Sequence, residues 1–463
     1  MNVFILLAAV IFILVFTIRP IRIWKIKIDM ASASILALVF LFLSGMVDTE
    51  IIRQGILDNG SFKPWEIIVI FFTVAYVSIS IDVTGIFDYL AYVTVRRAKG
   101  NGKKLFLFFY IFAGVLSIFT SNDIVILTLT PIIFYLGRHA KINIIPLLFA
   151  EFFAANTLSM FLYIDNPTNI MVANALQIGF LEYASVMWLP TLVAAIVNYY
   201  LLKLVFRKML TTQYDIDESS DFHIRNRLDA FLSIFLMLFM FVLLVWSGYL
   251  QIPIWVITLV FCLIFIVEDL CFSFYYYKKS KKISVAQLQK SEDVFAIPKK
   301  KNEFWLAIKR VPWKILPFII TFFIIAEAFG HFGLIDDMAN FMSNYSTGLA
   351  SSIGLTGFLS FLLANVINNQ PMTIFFTHIF VNDTFLLVGQ NVKGSVYALI
   401  IASNLGANLT IIGALAGLMW KRILEVKDLK ISYWQFFKVG IVITPVVFLC
   451  SLATLYVVLR FFG

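Results

Sequence analysis

The chain has 463 residues, of which 61% are hydrophobic and only 14% charged, with a mean hydropathy of +0.92. Since a soluble domain carries about 25% charged residues, this composition excludes an ordinary soluble protein and predicts a polytopic membrane protein. The net charge of +9 does not indicate a nucleic-acid partner, because the basic residues lie between apolar spans, as they do in cytoplasmic loops. The three cysteines have no metal-ligand spacing, and the sequence contains no protease, hydrolase or ATPase motif. We therefore expect no cofactor, no metal and no enzymatic activity.

The first half, residues 1–228, is predicted to begin with a helix that is retained. Its first apolar run has no basic residue before it and has Arg19 directly after it, the reverse of a secretory signal peptide. The predicted elements, in chain order, are helices 2–18, 31–47 and 64–81, an interfacial segment 85–95, a hairpin 105–137, a broken helix 143–177 and a helix 182–206.

The second half, residues 229–463, repeats this plan. Its predicted elements are helices 229–248 and 252–271, a basic cytoplasmic loop 273–314, a helix 313–330, an interfacial segment 333–342, a hairpin 349–381, a broken helix 396–420 and a last span 434–461. The run GLIDDMANFM at 333–342 echoes GIFDYLAYV at 85–93, which begins 248 positions earlier. The order of elements, more than residue identity, predicts a repeat.

The hairpin 105–137 is the element around which the predicted site is arranged. Its two apolar segments, 105–120 and 124–137, are each too short to cross a bilayer core of about 30 Å at about 1.5 Å per residue. Basic residues flank both ends, so we expect the pair to enter and leave by the cytoplasmic face as a re-entrant hairpin. Its tip at Ser121, Asn122 and Asp123 would then lie inside the membrane, where polar residues usually serve a function.

The distribution of Lys and Arg predicts the topology. With both hairpins re-entrant, 349–381 from the outside, all but four of the 36 basic residues fall on cytoplasmic segments, and the N-terminus lies outside. Each half then has five crossings, of which the broken helix is one, besides its hairpin, and this odd number reverses the second half relative to the first. The predicted fold class is therefore an all-α polytopic plasma-membrane protein with two inverted-topology repeats, each carrying a re-entrant hairpin and a broken helix. This architecture is typical of secondary transporters with a midplane site.

Polar residues at the hairpin tips and helix breaks are the candidates for binding a small inorganic solute. The candidate solute-binding residues are Ser121, Asn122, Asp123, Asn156, Thr157, Asn166, Asn365, Asn368, Asn369, Asn404, Asn408 and Thr410. Amide groups and helix N-termini suit a polar or anionic solute, although the same side chains also cap helices. For proton coupling the candidates are Asp123 first, then Asp165 and Glu151. Asp123 could instead form a salt bridge or a helix cap, and Asp165 and Glu151 could instead pair with Arg or Lys, so both roles stay open.

At these residues the chain resembles the arsenite permease family of the ion transporter superfamily, which includes Na⁺/H⁺ antiporters and dicarboxylate carriers. The resemblance lies in SNDIVILTLTPI at 121–132, AANTLSMFLYIDNPTNI at 154–170, FLEYASVMWLP at 180–190, VPWKI at 311–315, ANVINNQP at 364–371, NLGANLTIIGALAGLMW at 404–420 and ISYWQFFKVGIVIT at 431–444. It implies efflux of arsenite and antimonite in exchange for protons, by paired hairpins that move against a scaffold. Some members work with a soluble ATPase partner. A homodimer is also left open.

One departure from that family concerns the second broken helix. The family often has an acid and a lysine there, in the pattern D-L-G-P-K, whereas this chain has Asn404 and Asn408. The alternatives in the same class are an Na⁺/H⁺ antiporter and an organic or inorganic anion carrier, with Na⁺ as the coupling ion. A membrane-embedded enzyme and a passive channel are the alternatives from other classes, and the enzyme lacks a nucleophile–base pair at any convincing spacing.

Overall fold

The computed structural model describes residues 2–24, 26–58, 60, 62–140, 142–210, 227–280, 303–388 and 391–462. Nearly all of them are helical, which confirms the predicted all-α membrane class. The exception within these ranges is a short antiparallel β hairpin in the basic segment after the first helix, with Ile21 paired to Ile28. Eight helical segments of the described chain are long and apolar enough to cross a membrane.

The elements of the first half follow the predicted order. Their bounds are α1 Asn2–Ile18, β1 Ile21–Ile23, β2 Ile26–Ile28, α2 Met30–Leu43, α3 Thr49–Ile56, α4 Pro64–Val83, α5 Ile86–Ala98, α6 Gly102–Phe119, α7 Asn122–Ala140, α8 Ile145–Leu158, α9 Pro167–Ala175 and α10 Phe180–Val205. A 3-10 turn at Tyr163–Asp165 lies between α8 and α9. The short helix α3 was not predicted.

The second half follows the same order. Its bounds are α11 Arg227–Leu250, α12 Ile254–Ser280, α13 Glu303–Arg310, α14 Ile315–His331, α15 Leu334–Tyr345, α16 Leu349–Ile367, α17 Asn369–Phe380, α18 Asp383–Val388, α19 Val392–Leu405, α20 Leu415–Val426 and α21 Tyr433–Phe461. Two 3-10 turns, Gly406–Asn408 and Ile411–Gly413, lie between α19 and α20. The ends of the predicted loop 273–314 are helical, in α12 and α13, and residues 281–302 lie outside the described chain.

The hairpin arms are longer than predicted. Helix α6 has 18 residues because its first turn includes Lys103 and Lys104, and the Asn101 side chain accepts a hydrogen bond from the Lys104 amide. At 1.5 Å per residue, α6 is about 27 Å long, so its length alone no longer requires a re-entrant path. The 19-residue α16 is also long enough to span. The re-entrant orientation stays a prediction, now based on the flanking charges and the buried tips.

The second hairpin turns more tightly than the predicted loop 364–371. Only Asn368 separates α16 from α17, with φ +73°, and its side-chain oxygen accepts a hydrogen bond from the Gln370 amide. Pro371 lies in the first turn of α17, where a missing N–H costs no helical hydrogen bond. At φ +73° and ψ +152°, Asn368 lies outside the left-handed helical region, in a backbone conformation that residues with a Cβ atom rarely adopt.

Equivalent features of the two halves recur at a constant spacing of 248 positions. Gly85 and Gly333 precede α5 and α15 with φ of +81° and +79°. Asn166 and Ala414 precede α9 and α20 in the same extended conformation. Asn156 and Asn404 stand near the ends of α8 and α19. The halves therefore share one local plan, while their opposite orientation in the membrane stays a prediction.

Helices of one half pack against those of the other, and this brings the helix breaks together. Helices α2 and α3 contact α14, and in the corresponding way α12 and α13 contact α4. Helix α7 contacts α20, α17 contacts α9, and the long helices α10 and α21 contact each other. Both hairpins consequently end against the broken helices, at the centre of the molecule.

Candidate functional site

The breaks of the two discontinuous helices and the two hairpin tips meet in a set of hydrogen-bonded side chains, here called the polar core. Its members are Asn122, Asn156, Thr157, Ser159, Asn166, Thr168, Asn169, Asn369, Ser403, Asn404 and Asn408, and none is more than 3% exposed. A broken helix leaves backbone N–H and C=O groups without helical partners. Amide side chains can accept hydrogen bonds from the first kind of group and donate to the second.

Asn156 joins the first hairpin tip to the second broken helix. Its Oδ1 accepts a hydrogen bond from Asn122 Nδ2 at 2.8 Å, and its Nδ2 donates to Asn408 Oδ1 at 3.1 Å. The same Nδ2 donates to the carbonyl of Phe152 at 3.1 Å, one turn back along α8. Asn408 Nδ2 in turn donates to Thr157 Oγ1 at 3.3 Å. The predicted residues Asn122, Asn156, Thr157 and Asn408 are thus in one place.

Asn404 is the equivalent junction in the second half. Its Oδ1 accepts hydrogen bonds from Asn166 Nδ2 at 2.8 Å and from Ser159 Oγ at 2.9 Å. Its Nδ2 donates to Asn169 Oδ1 at 2.7 Å and to the Ile400 carbonyl, one turn back, as Asn156 does in its own helix. Asn156 and Asn404 therefore each form a hydrogen bond to the broken helix of the other half.

The two hairpin tips are connected through this core. Ser159 Oγ bonds both the Asn156 carbonyl, at 3.1 Å, and Asn404 Oδ1. Asn369 Nδ2 donates to the Ser403 carbonyl at 3.1 Å, next to Asn404. Asn369 Oδ1 is buried and has no hydrogen-bond partner among the described residues. Asn122 and Asn369 accordingly line one buried polar region, and neither is at the surface.

Four predicted residues lie at the edge of the polar core. Ser121 Oγ accepts a hydrogen bond from the Ile124 amide and caps α7. Asn365 and Thr410 bond each other, Thr410 Oγ1 to Asn365 Oδ1 at 2.7 Å. Asn368 donates its Nδ2 to the carbonyl of Ile412, which fixes the second tip to the second break.

The three predicted acids are separate from one another. Asp123 is 7% exposed and stands next to Asn122 in the first turn of α7, and Asp165 directly precedes Asn166, so both acids adjoin members of the polar core. Asp165 Oδ2 accepts a hydrogen bond from the amide of Leu162 and so closes the 3-10 turn. Glu151 lies inside α8, where Thr130 Oγ1 donates to its Oε1 at 2.8 Å. Asp165 Oδ1 and Glu151 Oε2 have no hydrogen-bond partner within the described chain.

The predicted set lacked several members of the core. Ser159, Thr168, Asn169 and Ser403 lie within the resemblance stretches or directly beside them, but their side chains look like ordinary helix-break residues in the sequence. Asn198 was also missed. It is 1% exposed in the long helix α10, and its Nδ2 donates to Thr157 Oγ1 at 2.9 Å. A lone amide within an apolar span was the signal that could have identified it.

Close backbone approaches hold the second break in place. A Cβ atom on Gly413 would lie 2.9 Å from the Gly406 carbonyl oxygen, and one on Gly440 would lie 2.5 Å from that of Leu409 and 2.6 Å from that of Asn408. Neither Gly406 nor Gly413 has a positive φ, so a left-handed backbone conformation does not account for either glycine. At Gly413 and Gly440 the neighbouring backbone lies too close to leave room for a Cβ atom, which explains why these residues are glycine.

A small cavity adjoins the first tip. Its volume is about 10 Å³, and Ser121, Ile164 and Pro167 are among the residues that line it. A site of that size holds about one water molecule and no larger solute. The amides of the polar core bond one another in this conformation, so a solute enters only if some of these bonds are replaced.

The chemistry of the polar core is neutral and bifunctional. All of its members are Asn, Ser or Thr, which offer donors and acceptors without a formal charge. In the described part of the chain, no group of three or more His, Cys, Asp or Glu side chains could hold a metal ion. Such a site can bind an uncharged polar molecule by hydrogen bonds, with Asp123 and Asp165 as adjacent titratable groups.

Comparison with known proteins identifies similar chains. A family model described as a citrate transporter matches residues 11–384. Arsenical pump membrane proteins of Escherichia coli are similar: one is 27% identical over 399 residues, covering 84% of this chain and 86% of that protein. That of strain K12 is 29% identical over 409 residues, covering 86% and 87%. These relatives confirm the resemblance seen in the sequence.

A solved structure with a similar fold is that of the YdaH transporter of Alcanivorax borkumensis, whose crystal structure has an unusual topology. The match has a TM-score of 0.52 at 13% sequence identity and covers 99% of this chain and 98% of that one, which supports the fold.

Proposed function

This chain belongs to the citrate transporter family, and from that premise we propose that it exports arsenite and antimonite by a proton-coupled secondary mechanism. The observation that carries the proposal is the buried, uncharged polar core between the two helix breaks. The names of the arsenical pump relatives support the choice of solute. Membership of the family by itself makes the chain a membrane transporter.

The chemistry of the solute fits the polar core. Arsenite is As(OH)₃ near neutral pH, an uncharged molecule whose three hydroxyl groups both donate and accept hydrogen bonds. Asn side chains present an acceptor oxygen and a donor nitrogen in one plane, so a ring of them can match a triol without a compensating charge. Burying an isolated charge would be far more costly than burying a hydrogen-bonded neutral molecule. No thiolate is needed for this type of binding.

Entry of the solute is proposed to replace hydrogen bonds between the two halves. The bonds from Asn156 to Asn408 and from Asn166 to Asn404 link the first broken helix to the second. Each neutral hydrogen bond contributes about 1 kcal/mol net, so exchanging two of them for bonds to a triol is close to neutral. A near-neutral exchange lets the breaks separate and rejoin during each transport cycle, as alternating access requires.

Proton coupling is proposed to use Asp123, with Asp165 and Glu151 as secondary carriers. Asp123 follows Asn122, which bonds Asn156, so a change at the acid is transmitted to the polar core within two residues. The solute and the proton would then cross in opposite directions on the same hairpin. The N-terminus is proposed to lie outside the cell, and a soluble ATPase partner or a second copy of the chain would be additional to this machinery.

An anion carrier is the second candidate, and one feature favours it. Helices α7, α9, α17 and α20 all begin at the polar core or its edge. Helix N-termini carry partial positive charge and favour anions. The description of the matching family as a citrate transporter points the same way.

Transport by everted membrane vesicles tests the proposal. Vesicles with an acidic lumen should accumulate arsenite, and the accumulation should stop when a protonophore removes the gradient. Citrate and Na⁺, added separately, should leave the flux unchanged. Accumulation of citrate but not arsenite, with the protein verified in the membrane, would replace the proposed function with the anion carrier. Vesicles stripped of soluble proteins, assayed with and without ATP, show whether an ATPase is required.

A further inference from the structure

A groove on the outside of the first hairpin shares no lining residue with the polar core. It has a volume of about 290 Å³ and lies between the interfacial helix α5 and the hairpin arm α6. Its walls are Phe108, Ile111, Phe112 and Val115 on α6, and Thr94 and Arg97 on α5. Ile111 is 49% exposed and Val115 45% exposed, so the apolar wall faces outward.

The groove is apolar along its length and basic at one end. Phe108, Ile111, Phe112 and Val115 follow one face of α6 over about 10 Å, at 1.5 Å per residue. Arg97 lies in the last turn of α5, Lys99 directly follows that helix, and Lys103 and Lys104 lie in the first turn of α6. The stretch 96–104 contains five basic residues and no acidic residue.

This arrangement matches one kind of ligand. A phospholipid has an anionic or zwitterionic headgroup joined to long acyl chains, so it needs a charged end and an apolar track. A guanidinium group binds a phosphate through paired hydrogen bonds. A volume of about 290 Å³ is near the lower end for ligand pockets, which are about 300–1,000 Å³, and suits part of one acyl chain.

We propose that the α5–α6 groove is a binding site for an anionic phospholipid, with one acyl chain along α6 and the phosphate at Arg97. Lysine and arginine clusters beside a membrane helix attract the anionic lipids of the cytoplasmic leaflet. Residues 96–104 are predicted to lie on the cytoplasmic side, next to that leaflet. The bound lipid fixes α5 to α6 and so stabilises the arm that carries the Asn122 tip. The site is independent of which solute the protein transports.

Binding can be measured on the full chain purified in detergent and stripped of native lipid. Native mass spectrometry, with phosphatidylglycerol and phosphatidylcholine added in equal amounts, reports which lipid remains bound. The wild-type chain should retain phosphatidylglycerol in preference. Arg97→Gln should lower that retention about fivefold, the effect of losing one basic contact near a lipid surface. Val115→Trp, which fills the groove, should lower the retention of both lipids.

Arg96→Gln is the matched control. It removes the same charge from the neighbouring position, but Arg96 does not line the groove, and its guanidinium carbon lies 5.8 Å from the centre of the Tyr92 ring. Arg96→Gln should retain phosphatidylglycerol like the wild type. Equal retention of the two lipids by the wild type, or equal losses in Arg96→Gln and Arg97→Gln, would overturn the proposal and indicate a diffuse basic surface. Arg97 is exposed, so its substitution should leave folding intact, which size-exclusion chromatography checks.

Discussion

Asn156 Nδ2 donates a hydrogen bond to Asn408 Oδ1 at 3.1 Å, joining the breaks of two helices that lie in different halves of the chain. The bond is fully buried, because Asn156 is 0% exposed and Asn408 2% exposed. A buried amide pair is stable only while both partners are present, since a buried polar group without a partner loses its hydration with no compensation. The two breaks are therefore coupled at one point, which makes the pair sensitive to substitution.

Asn156→Ala should reduce transport at least tenfold. The substitution leaves Asn122 Nδ2 and Asn408 Oδ1 without their partner, at a cost of about 1–3 kcal/mol for each buried group. The flux of arsenite into everted vesicles, divided by the amount of protein, measures the effect. Asn382→Ala is the control, because Asn382 is half-buried and its side chain bonds Asp336 away from the breaks. Normal flux in Asn156→Ala would show that the polar core is structural only.

Gly440→Ala should displace the backbone of the second helix break, although Gly440 itself lies in the neighbouring helix α21. The added methyl group would lie 2.5 Å from the Leu409 carbonyl oxygen and 2.6 Å from that of Asn408, so the break must move. Overpacking of this kind costs about 1–3 kcal/mol. Gly354→Ala is the matched control, because a Cβ atom there meets nothing within 4 Å. We expect a lower melting temperature and a lower flux for the first variant, and wild-type values for the second. Similar values for both variants would contradict the observed packing.

The inverted topology can be tested by labelling single cysteines. Cys262, Cys271 and Cys450 are first replaced by serine. Cysteines at Lys99 and Asn143, on either side of the first hairpin, should resist a membrane-impermeant maleimide added to intact cells. Cysteines at Tyr345 and Lys393, on either side of the second hairpin, should react, because the inverted repeats place these flanks outside. All four positions are exposed to solvent or headgroups, so failure to react reports the side of the membrane. Labelling of one flank of a hairpin without the other would show that the segment crosses the membrane an odd number of times, which would contradict the re-entrant path.

An ion pair between the two halves should make the stability of the protein depend on pH. Lys314, which precedes α14, donates to an Asp29 carboxylate oxygen at 2.6 Å, and Asp29 precedes α2. Burial raises the pKa of Asp29. The hydrogen bond from Lys314 and its positive charge lower the pKa by more than burial raises it, so the pKa of Asp29 is below its ordinary value. The stabilisation is therefore complete above the unfolded pKa of about 4 and is lost as the pH falls through the lower folded value.

Asp29→Asn measures that contribution. The melting temperature of the wild type should fall more steeply than that of the variant below about pH 4. The difference should be small, at most about 1 kcal/mol, because Lys314 is 64% exposed and solvent screens the pair. Asp58→Asn, at a half-buried position in the loop after α3, is the control. Parallel pH profiles for wild type and Asp29→Asn would contradict the expected stabilisation.

The sequence predicted the order of the helices because long apolar runs and basic flanks record membrane crossings directly. Both helix breaks were also predicted, since Asn166 before Pro167 and the polar run 403–408 conflict with a continuous apolar helix. The short helices α3, α13 and α18 were missed, because brief amphipathic segments resemble loops in hydropathy. The arms of the first hairpin were predicted too short, because lysines that extend α6 were read as its flank.

The pairing within the polar core was not predictable in detail. Asn404 bonds Asn166 and Ser159, which are more than 230 positions away, and only the packing of the two halves determines that choice. Asn198 illustrates the same limit, because a single amide in α10 gives no indication of which break it faces. Residue type identified the candidates, and tertiary structure selected their partners.

Arsenite-driven proton movement in liposomes tests the central claim most directly, namely that solute and proton are exchanged through the polar core and Asp123. Purified protein is reconstituted with a pH-sensitive dye in an acidic lumen, and arsenite is added outside. Wild-type protein should alkalinise the lumen as arsenite enters, and Asp123→Asn should move arsenite only down its own gradient, with no change in luminal pH. Equal alkalinisation by Asp123→Asn and wild type would contradict the account, as would wild-type protein that moves arsenite without protons.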